Sequence, residues 1–242
     1  TADTVVPLTA GESKRFSSQV GGYHYFSAVV PRGHAVDITV TPLTGDPDLF
    51  VSATVERPDS TSPECAADPS WCSAEEGSRY EHVEIGAADT HACQAGAECT
   101  FHISVHAVTA VTYTVVATWQ NTPIRLIDGL PQAAQIEAAG LSRYYTTRVA
   151  GTHTDLSLLL AASYGTAHVY VQTNGTASAQ SHKWSTSSRG ASSARLLIPH
   201  DGPDFCADCD YHVTVVADAA TAYTVSATSS HGTTVLESGA PC

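Results

Sequence analysis

Charge is scarce in this chain, and positive charge is the scarcer of the two signs. Of its 242 residues only 14% are charged, with 24 acidic against 11 basic side chains and a formal net charge of −13. A surface of this sign repels phosphate backbones, so we expect no nucleic acid partner. Cations and cationic surfaces remain candidate partners.

Methionine is absent, and so are long apolar runs. No run approaches the ~20 apolar residues that a membrane-spanning helix needs, so we expect no membrane span. A chain that opens at Thr1 and lacks methionine is expected to be a processed product from which a secretory leader was removed. Segments with helical periodicity are scarce, whereas Val, Thr, Ala and Ser are abundant. This composition predicts an all-β fold.

An internal repeat organises what is present. The stretch CTFHISVHAVTAVTYTVVAT, residues 99–118, returns 110 residues later as CDYHVTVVADAATAYTVSAT, residues 209–228, with half of the positions identical. Apolar and small polar residues alternate in both copies, as in a hairpin of two half-buried strands. Self-similarity at this spacing indicates one structural unit used twice. We therefore predict two tandem jelly-roll-like antiparallel β-sandwich domains.

The two copies align along their length. We place the first domain at residues 1–120 and the second at residues 121–230. In this alignment GTAHVYV, residues 165–171, matches GDPDLFV, residues 45–51. Asp155 is placed opposite Asp37.

The last segment, residues 231–242, repeats the start of each domain. Its sequence TTVLESGAP, residues 233–241, resembles TVVPLTAG, residues 4–11, and TPIRLIDGLP, residues 122–131. We expect a strand here, with Val235 and Leu236 as its apolar residues. The edge of a sheet accepts any strand of suitable pattern, from the same chain or from another, so this segment is a candidate donor strand.

Six of the seven cysteines lie in close local pairs, namely Cys65 with Cys72, Cys93 with Cys99, and Cys206 with Cys209. In a Ser- and Thr-rich β protein such pairs favour disulfides and an oxidising compartment, hence an extracellular or cell-surface location. Zinc is the alternative for the CADC motif at 206–209, although a tetrahedral site wants a second ligand pair. Cys242 is expected to pair between subunits, to pair with a residue beyond the sequence, or to stay unpaired.

Asn174 opens the Asn-Gly-Thr motif, which is the acceptor pattern for N-glycosylation and occurs once in the sequence. Together with the many Ser and Thr residues, it predicts covalent glycans on the second domain.

The sequence also resembles a known family. The residues concerned are Tyr25-Phe26, the GDPDLFV segment, the closing pattern Cys99-x-x-His-Ile-x-Val, and Tyr113-Thr-Val. Their order resembles the bacterial pre-peptidase C-terminal domain, a jelly-roll-like β-sandwich found beside secreted proteases. The resemblance covers residues 4–118 and, more weakly, residues 122–228. It implies a non-catalytic appendage, some relatives of which bind calcium or fibrous substrates.

Asp46 and Asp48 are the candidate calcium ligands, with Asp37 or the neighbours Glu75 and Glu76 adding further oxygens. The alternative is that the two aspartates only shape a turn and cap its backbone amides. The second copy lacks both, which favours the alternative. No other cofactor is expected.

Trp71 and Trp184 recur at matched positions. An exposed pair would form an aromatic platform for sugar rings, but a repeated tryptophan is more often a core or loop-anchoring residue, which favours that interpretation.

Catalytic patterns are missing. There is no G-x-S-x-G elbow and no HExxH motif, and the twelve histidines are scattered. We interpret the histidines as structural or surface residues and expect no enzymatic activity.

Three hypotheses of function remain. The first is a secreted structural protein that assembles head-to-tail into an extracellular fibre or surface layer by strand exchange. The second is a carbohydrate- or matrix-binding module. The third is an accessory fragment of a larger secreted hydrolase, in which residues 231–242 open a third domain.

Overall fold

The computed structural model describes residues 4–93, 96–190 and 192–229. These residues form two compact units that divide between Thr122 and Pro123. Each unit is a pair of β-sheets, so the prediction of two tandem jelly-roll-like β-sandwiches is confirmed. The candidate donor strand with Val235 and Leu236, and the terminal Cys242, lie outside the described residues.

The first unit begins with a short strand and ends with a hairpin. Its elements are β1 (Val5–Pro7), β2 (Lys14–Ser18), β3 (Tyr23–Pro31), β4 (Val36–Thr44), β5 (Pro47–Ser52), α1 (Pro63–Ala67), a 3-10 turn (Pro69–Trp71), β6 (Cys72–Ser73), β7 (Glu81–Ile85), β8 (Glu98–Ala107) and β9 (Val111–Trp119). The five-stranded sheet has the order β1-β3-β8-β5-β6, and the four-stranded sheet has the order β2-β9-β4-β7.

The second unit repeats this topology. Its strands are β10 (Ile124–Arg125), β11 (Gln132–Ile136), β12 (Ser142–Arg148), β13 (Leu156–Tyr164), β14 (Thr166–Gln172), β15 (Trp184–Arg189), β16 (Ser193–Ile198), β17 (Asp210–Ala217) and β18 (Thr221–Ser229). Its sheets have the orders β10-β12-β17-β14-β15 and β11-β18-β13-β16. Within the described part of the chain, no helix has the length and apolarity that crossing a bilayer would require.

The strands form because apolar residues alternate with polar ones, and each core takes the apolar set. In β4 and β8 of the first unit, Val36, Ile38, Val40, Ile103 and Val105 are buried. Side chains from both sheets meet in one core, as sheet-on-sheet packing requires.

Each core also holds a buried tyrosine from its last strand, and the phenol of each has a partner. His24 Nδ1 lies 2.8 Å from the Tyr113 hydroxyl in the first unit. In the second unit the Tyr145 and Tyr223 hydroxyls lie 2.7 Å apart. Tyr223 is the repeat of Tyr113, so different side chains satisfy the same buried phenol, as happens for most buried polar groups.

The strand registers align the two units residue by residue. Val36 pairs with Trp119 of β9, and Leu156 pairs with Ser229 of β18. Trp119 and Ser229 stand 110 residues apart, the repeat offset. Leu156 is therefore the equivalent of Val36.

It follows that Ser157 occupies the place of Asp37, and that the alignment of Asp155 with Asp37 is wrong by two residues. A shift of two residues keeps every side chain on the same face of the sheet, so the alternation of apolar and polar residues cannot distinguish the two alignments.

Candidate functional site

The three local cysteine pairs are disulfides. Cys65 pairs with Cys72, Cys93 with Cys99, and Cys206 with Cys209. The prediction of these bonds is confirmed, and the zinc alternative for the CADC motif does not apply. The first bond joins α1 to β6, while the other two close the turns that precede β8 and β17.

Trp71 is fully buried, with 0% of its surface exposed. Its ring lies 5.9 Å from Phe101 and 6.3 Å from His91. The hypothesis of an exposed aromatic platform is therefore wrong for Trp71, and the favoured interpretation as core packing agrees with the structure. The indole is part of the hydrophobic core of the first unit, and the disulfide between Cys65 and Cys72 closes the segment that carries it.

Trp184 occupies the matching place in the second unit. Its ring lies 5.8 Å from Tyr211, the repeat of Phe101, and Lys183 Nζ lies 5.7 Å from the ring centroid. The side chain is half-buried. Both tryptophans thus pack on the same core position, and the interpretation as core packing accounts for their recurrence.

Asp46 and Asp48 are held in the turn before β5 and at its start. The Asp46 backbone N–H donates to Thr109 Oγ1 at 2.9 Å, and its carbonyl accepts from Val108 N–H at 2.9 Å. Asp48 Oδ2 lies 3.4 Å from His106 Nδ1, and burial raises the pKa of this carboxyl. Asp46 therefore shapes the turn, and Asp48 has an imidazole partner. Calcium binding by the pair stays a prediction.

The second unit also has a carboxylate–imidazole contact that involves the place of Asp48. His168, the repeat of Asp48, places Nε2 3.0 Å from Asp218 Oδ2. The carboxylate Asp218 is the repeat of Val108, whereas the place of His106 is taken by Val216, so the two contacts use different partner positions.

Asn174 lies in the loop that follows β14, where it and the next two residues are exposed. A glycosyltransferase requires this accessibility of the acceptor motif.

The first strand of each unit is an edge strand in parallel pairing. Val5 stands opposite Tyr25 and Pro7 opposite Ser27, and Ile124 stands opposite Tyr145 in the second unit. The other pairings between named strands are antiparallel. The sequence patterns did not indicate this direction, because alternation is the same in parallel and antiparallel edge strands.

The sequence patterns did not predict a polar cluster on β4 and β7. Asp37, His82 and Glu84 come together on β4 and β7, with one donor atom of each within 4.8 Å of the others. The signal is weak, since His82 and Glu84 are two residues apart on a strand and Asp37 is far away in sequence.

Comparisons with known proteins do not assign the chain to a family. No family model and no curated protein matches it. Among solved structures, a conserved protein of unknown function from Pseudomonas aeruginosa has 11% identity, with 90% of both chains covered and a TM-score of 0.26. A glycoside hydrolase domain of Endo-D from Streptococcus pneumoniae has 12% identity, with 90% of this chain and 33% of that one covered and a TM-score of 0.28. Similarities at these TM-scores carry no weight for function.

Proposed function

We propose that this is a non-catalytic, secreted structural protein that assembles head-to-tail by strand exchange. The donated strand is residues 233–240, which pairs at the β1 position of the next copy. The observation that supports the proposal is a Leu-x-x-Gly signature at the edge strand of each unit, which returns in residues 236–239.

The signature has a structural meaning in the first unit. Leu8 is buried, and its N–H donates to Ser27 O of β3 at 2.8 Å. Three residues later Gly11 adopts a φ of 74°, and its N–H donates to Ala117 O of β9 at 2.9 Å. The edge strand is thus fixed to one sheet by its leucine and to the other by its glycine.

The second unit uses the same two anchors. Leu126 is buried and donates to Thr146 O at 2.9 Å, and Gly129, with a φ of 75°, donates to Ala227 O at 2.8 Å. Leu236 and Gly239 have the same spacing. A left-handed backbone favours glycine, so the spacing of the two residue types is a specific requirement.

The resident edge strands are short. β1 has three residues and β10 has two, and Val5 is 39% exposed. A short edge strand makes few ladder hydrogen bonds, so a strand of the same pattern from another copy can compete for its place. Contacts of this head-to-tail kind produce an open filament unless the rotation between subunits closes a ring.

Negative-stain electron microscopy of the native protein tests the proposal, beside a matched sample truncated after His231. We expect filaments in the first and none in the second. Leu236→Asp removes the apolar anchor and is expected to abolish filaments, whereas Ser238→Ala is the control, because Ala10 stands at this place in the first unit. Filaments that survive truncation, or monomers in the native sample, contradict the proposal.

The alternative is an accessory module of a larger secreted hydrolase, binding carbohydrate or matrix, in which residues 233–240 open a third unit. The same signature supports it, but the buried Trp71 leaves the sugar platform without one of its two rings. A mature protein much longer than 242 residues, found by intact mass, would favour this alternative.

The extracellular location and the glycan belong to the proposal as well. Three disulfides support an oxidising compartment. We expect the peptide that contains Asn174 to lose mass on enzymatic deglycosylation, and an unmodified peptide from the native source would contradict that expectation.

A further inference from the structure

A carboxylate–imidazole cluster lies on the outer face of the four-stranded sheet of the first unit. Asp37 pairs with Glu84, and Thr39 with His82, across the β4–β7 ladder. The neighbours Ile38 and Val83 point into the core, so the three polar side chains face the other way. The side chains of Asp37 and His82 are only 11% and 14% exposed, while Glu84 is exposed.

The cluster is preorganised. His82 Nε2 lies 3.0 Å from Asp37 Oδ2, and the Thr39 hydroxyl donates to Asp37 Oδ1 at 3.4 Å. The donor atoms of the three residues lie within 4.8 Å of one another. Two ligand atoms on one tetrahedral zinc ion are about 3.3 Å apart, so a small rotation of the exposed Glu84 side chain completes the set.

Two carboxylates face each other at this place. Asp37 and Glu84 stand directly opposite each other on neighbouring strands, an arrangement that is destabilising for like charges. The chain as a whole carries a net charge of −13, which adds to the repulsion. A divalent cation bound by both carboxylates would remove this repulsion.

The second unit offers an internal comparison. At the three equivalent places it holds Ser157, Arg195 and Leu197, and Arg195 Nε donates to Ser157 Oγ at 2.9 Å. That unit therefore has a fixed cation and no carboxylate where the first unit has two carboxylates and an imidazole. The same sandwich tolerates both sets.

We propose that Asp37, His82 and Glu84 bind a divalent transition metal ion of the zinc class. Imidazole nitrogen with two carboxylate oxygens is a donor set suited to zinc, whereas calcium takes oxygen ligands alone. Three protein ligands leave one tetrahedral position for water. Thr39 does not bind the metal itself; its hydroxyl orients the carboxylate of the ligand Asp37.

A second cluster provides a control. Asp68, Asp89 and His91 also lie close together, but Asp68 Oδ1 accepts from Ser70 N–H and Asp89 Oδ1 accepts from His91 N–H. These carboxylates are engaged in capping their own turns, which accounts for their position without a metal.

The test is calorimetric titration of the chelator-treated full chain with zinc chloride. We expect one equivalent bound to the first unit, and loss of that equivalent in the triple variant Asp37→Ser, His82→Arg, Glu84→Leu. This variant carries the residues that the second unit holds in the same register, so the sandwich has a precedent for them. His91→Ala, at the other cluster, is expected to keep the equivalent.

The reciprocal variant Ser157→Asp, Arg195→His, Leu197→Glu is expected to gain a second equivalent. Zinc is also expected to raise the unfolding temperature of the wild type but not of the triple loss variant, a readout that an ordinary His82–Asp37 ion pair would not produce. Should the triple variant fail to fold, the surface change Glu84→Gln must weaken binding at least tenfold. No zinc binding by the wild type, or equal binding by the loss variants, overturns the proposal.

Discussion

A carboxyl group in the core of the first unit has no solvent contact. Glu81 on β7 is 0% exposed, and its Oε2 accepts from Glu75 N–H at 3.1 Å. The other oxygen has no hydrogen-bond partner among the described residues. Burial, the largest cause, raises the pKa of this carboxyl from 4.5 to about 7. The folded state therefore favours the neutral, protonated form of the Glu81 carboxyl.

This residue makes the stability of the first unit depend on pH. The pKa is higher in the folded state, so the stabilising contribution is complete below pH 4.5 and is lost as the pH rises through 7. The loss amounts to about 3 kcal/mol. We expect Glu81→Gln to remove the dependence, measured by urea unfolding at pH 5 and pH 8 in the presence of a chelator. The exposed Glu98→Gln is the control, and an unchanged pH profile in Glu81→Gln would refute the assignment.

Gly45 is required by both its backbone and its surroundings. Its φ is 81°, and a Cβ placed there would collide with the backbone of Ala110 and Val111. Gly33 has a φ of 83° but open space around it. We expect Gly45→Ala to cost about 3 kcal/mol of unfolding free energy and Gly33→Ala about 1 kcal/mol. Equal losses of unfolding free energy in the two variants, measured by thermal or urea unfolding, would mean that backbone strain alone accounts for the cost at both positions.

At the scale of elements, the first disulfide constrains the segment that carries Trp71, residues 65–72. Cys65 in α1 and Cys72 in β6 lie on either side of the buried Trp71. Replacing both cysteines with serine is expected to cost about 2 kcal/mol, since the bond restricts a short loop in the unfolded chain. The fluorescence of Trp71 should shift to the red. The double serine variant of Cys206 and Cys209 is the control, and an unshifted spectrum with unchanged stability would show that the core end is held without the bond.

Strands were predictable from the sequence where one face is buried and the other is exposed to solvent. The hairpin of β8 and β9 follows the alternation of its sequence, and β17 and β18 follow the same rule. The segment between β5 and β7 contains α1 and a 3-10 turn, neither of which the sequence patterns predicted. Its short elements are stabilised by capping and by packing on the sandwich rather than by periodicity, so local sequence does not reveal them.

Sites formed across strands were beyond prediction. Asp37 and Glu84 are 47 residues apart in the chain, and only the β4–β7 register makes them neighbours. Registers that differ by two residues satisfy the same pattern, as the misplaced Asp155 shows. By contrast, the disulfides were predictable because each joins cysteines close together in sequence.

For the whole molecule, the acidic charge opposes association between copies. A net charge of −13 on each chain produces mutual repulsion that salt screens. If head-to-tail assembly occurs, we expect light scattering to rise faster when NaCl is increased from about 0.01 M to about 0.1 M, because the Debye length falls from about 30 Å to about 10 Å. Slower growth in salt would mean that attraction between unlike patches drives assembly.

The local disulfides also bear on how the chain matures. Strand pairing in the first unit joins residues as far apart as Lys14 and Val115, whereas the described disulfides span at most seven residues. If the chain is secreted, as proposed, each thiol pair can oxidise as soon as its own loop has emerged, before the last hairpin of its own unit is complete. Mispairing across the chain then has few thiols left to use, and the nascent polypeptide has little need of an isomerase before its sandwiches close.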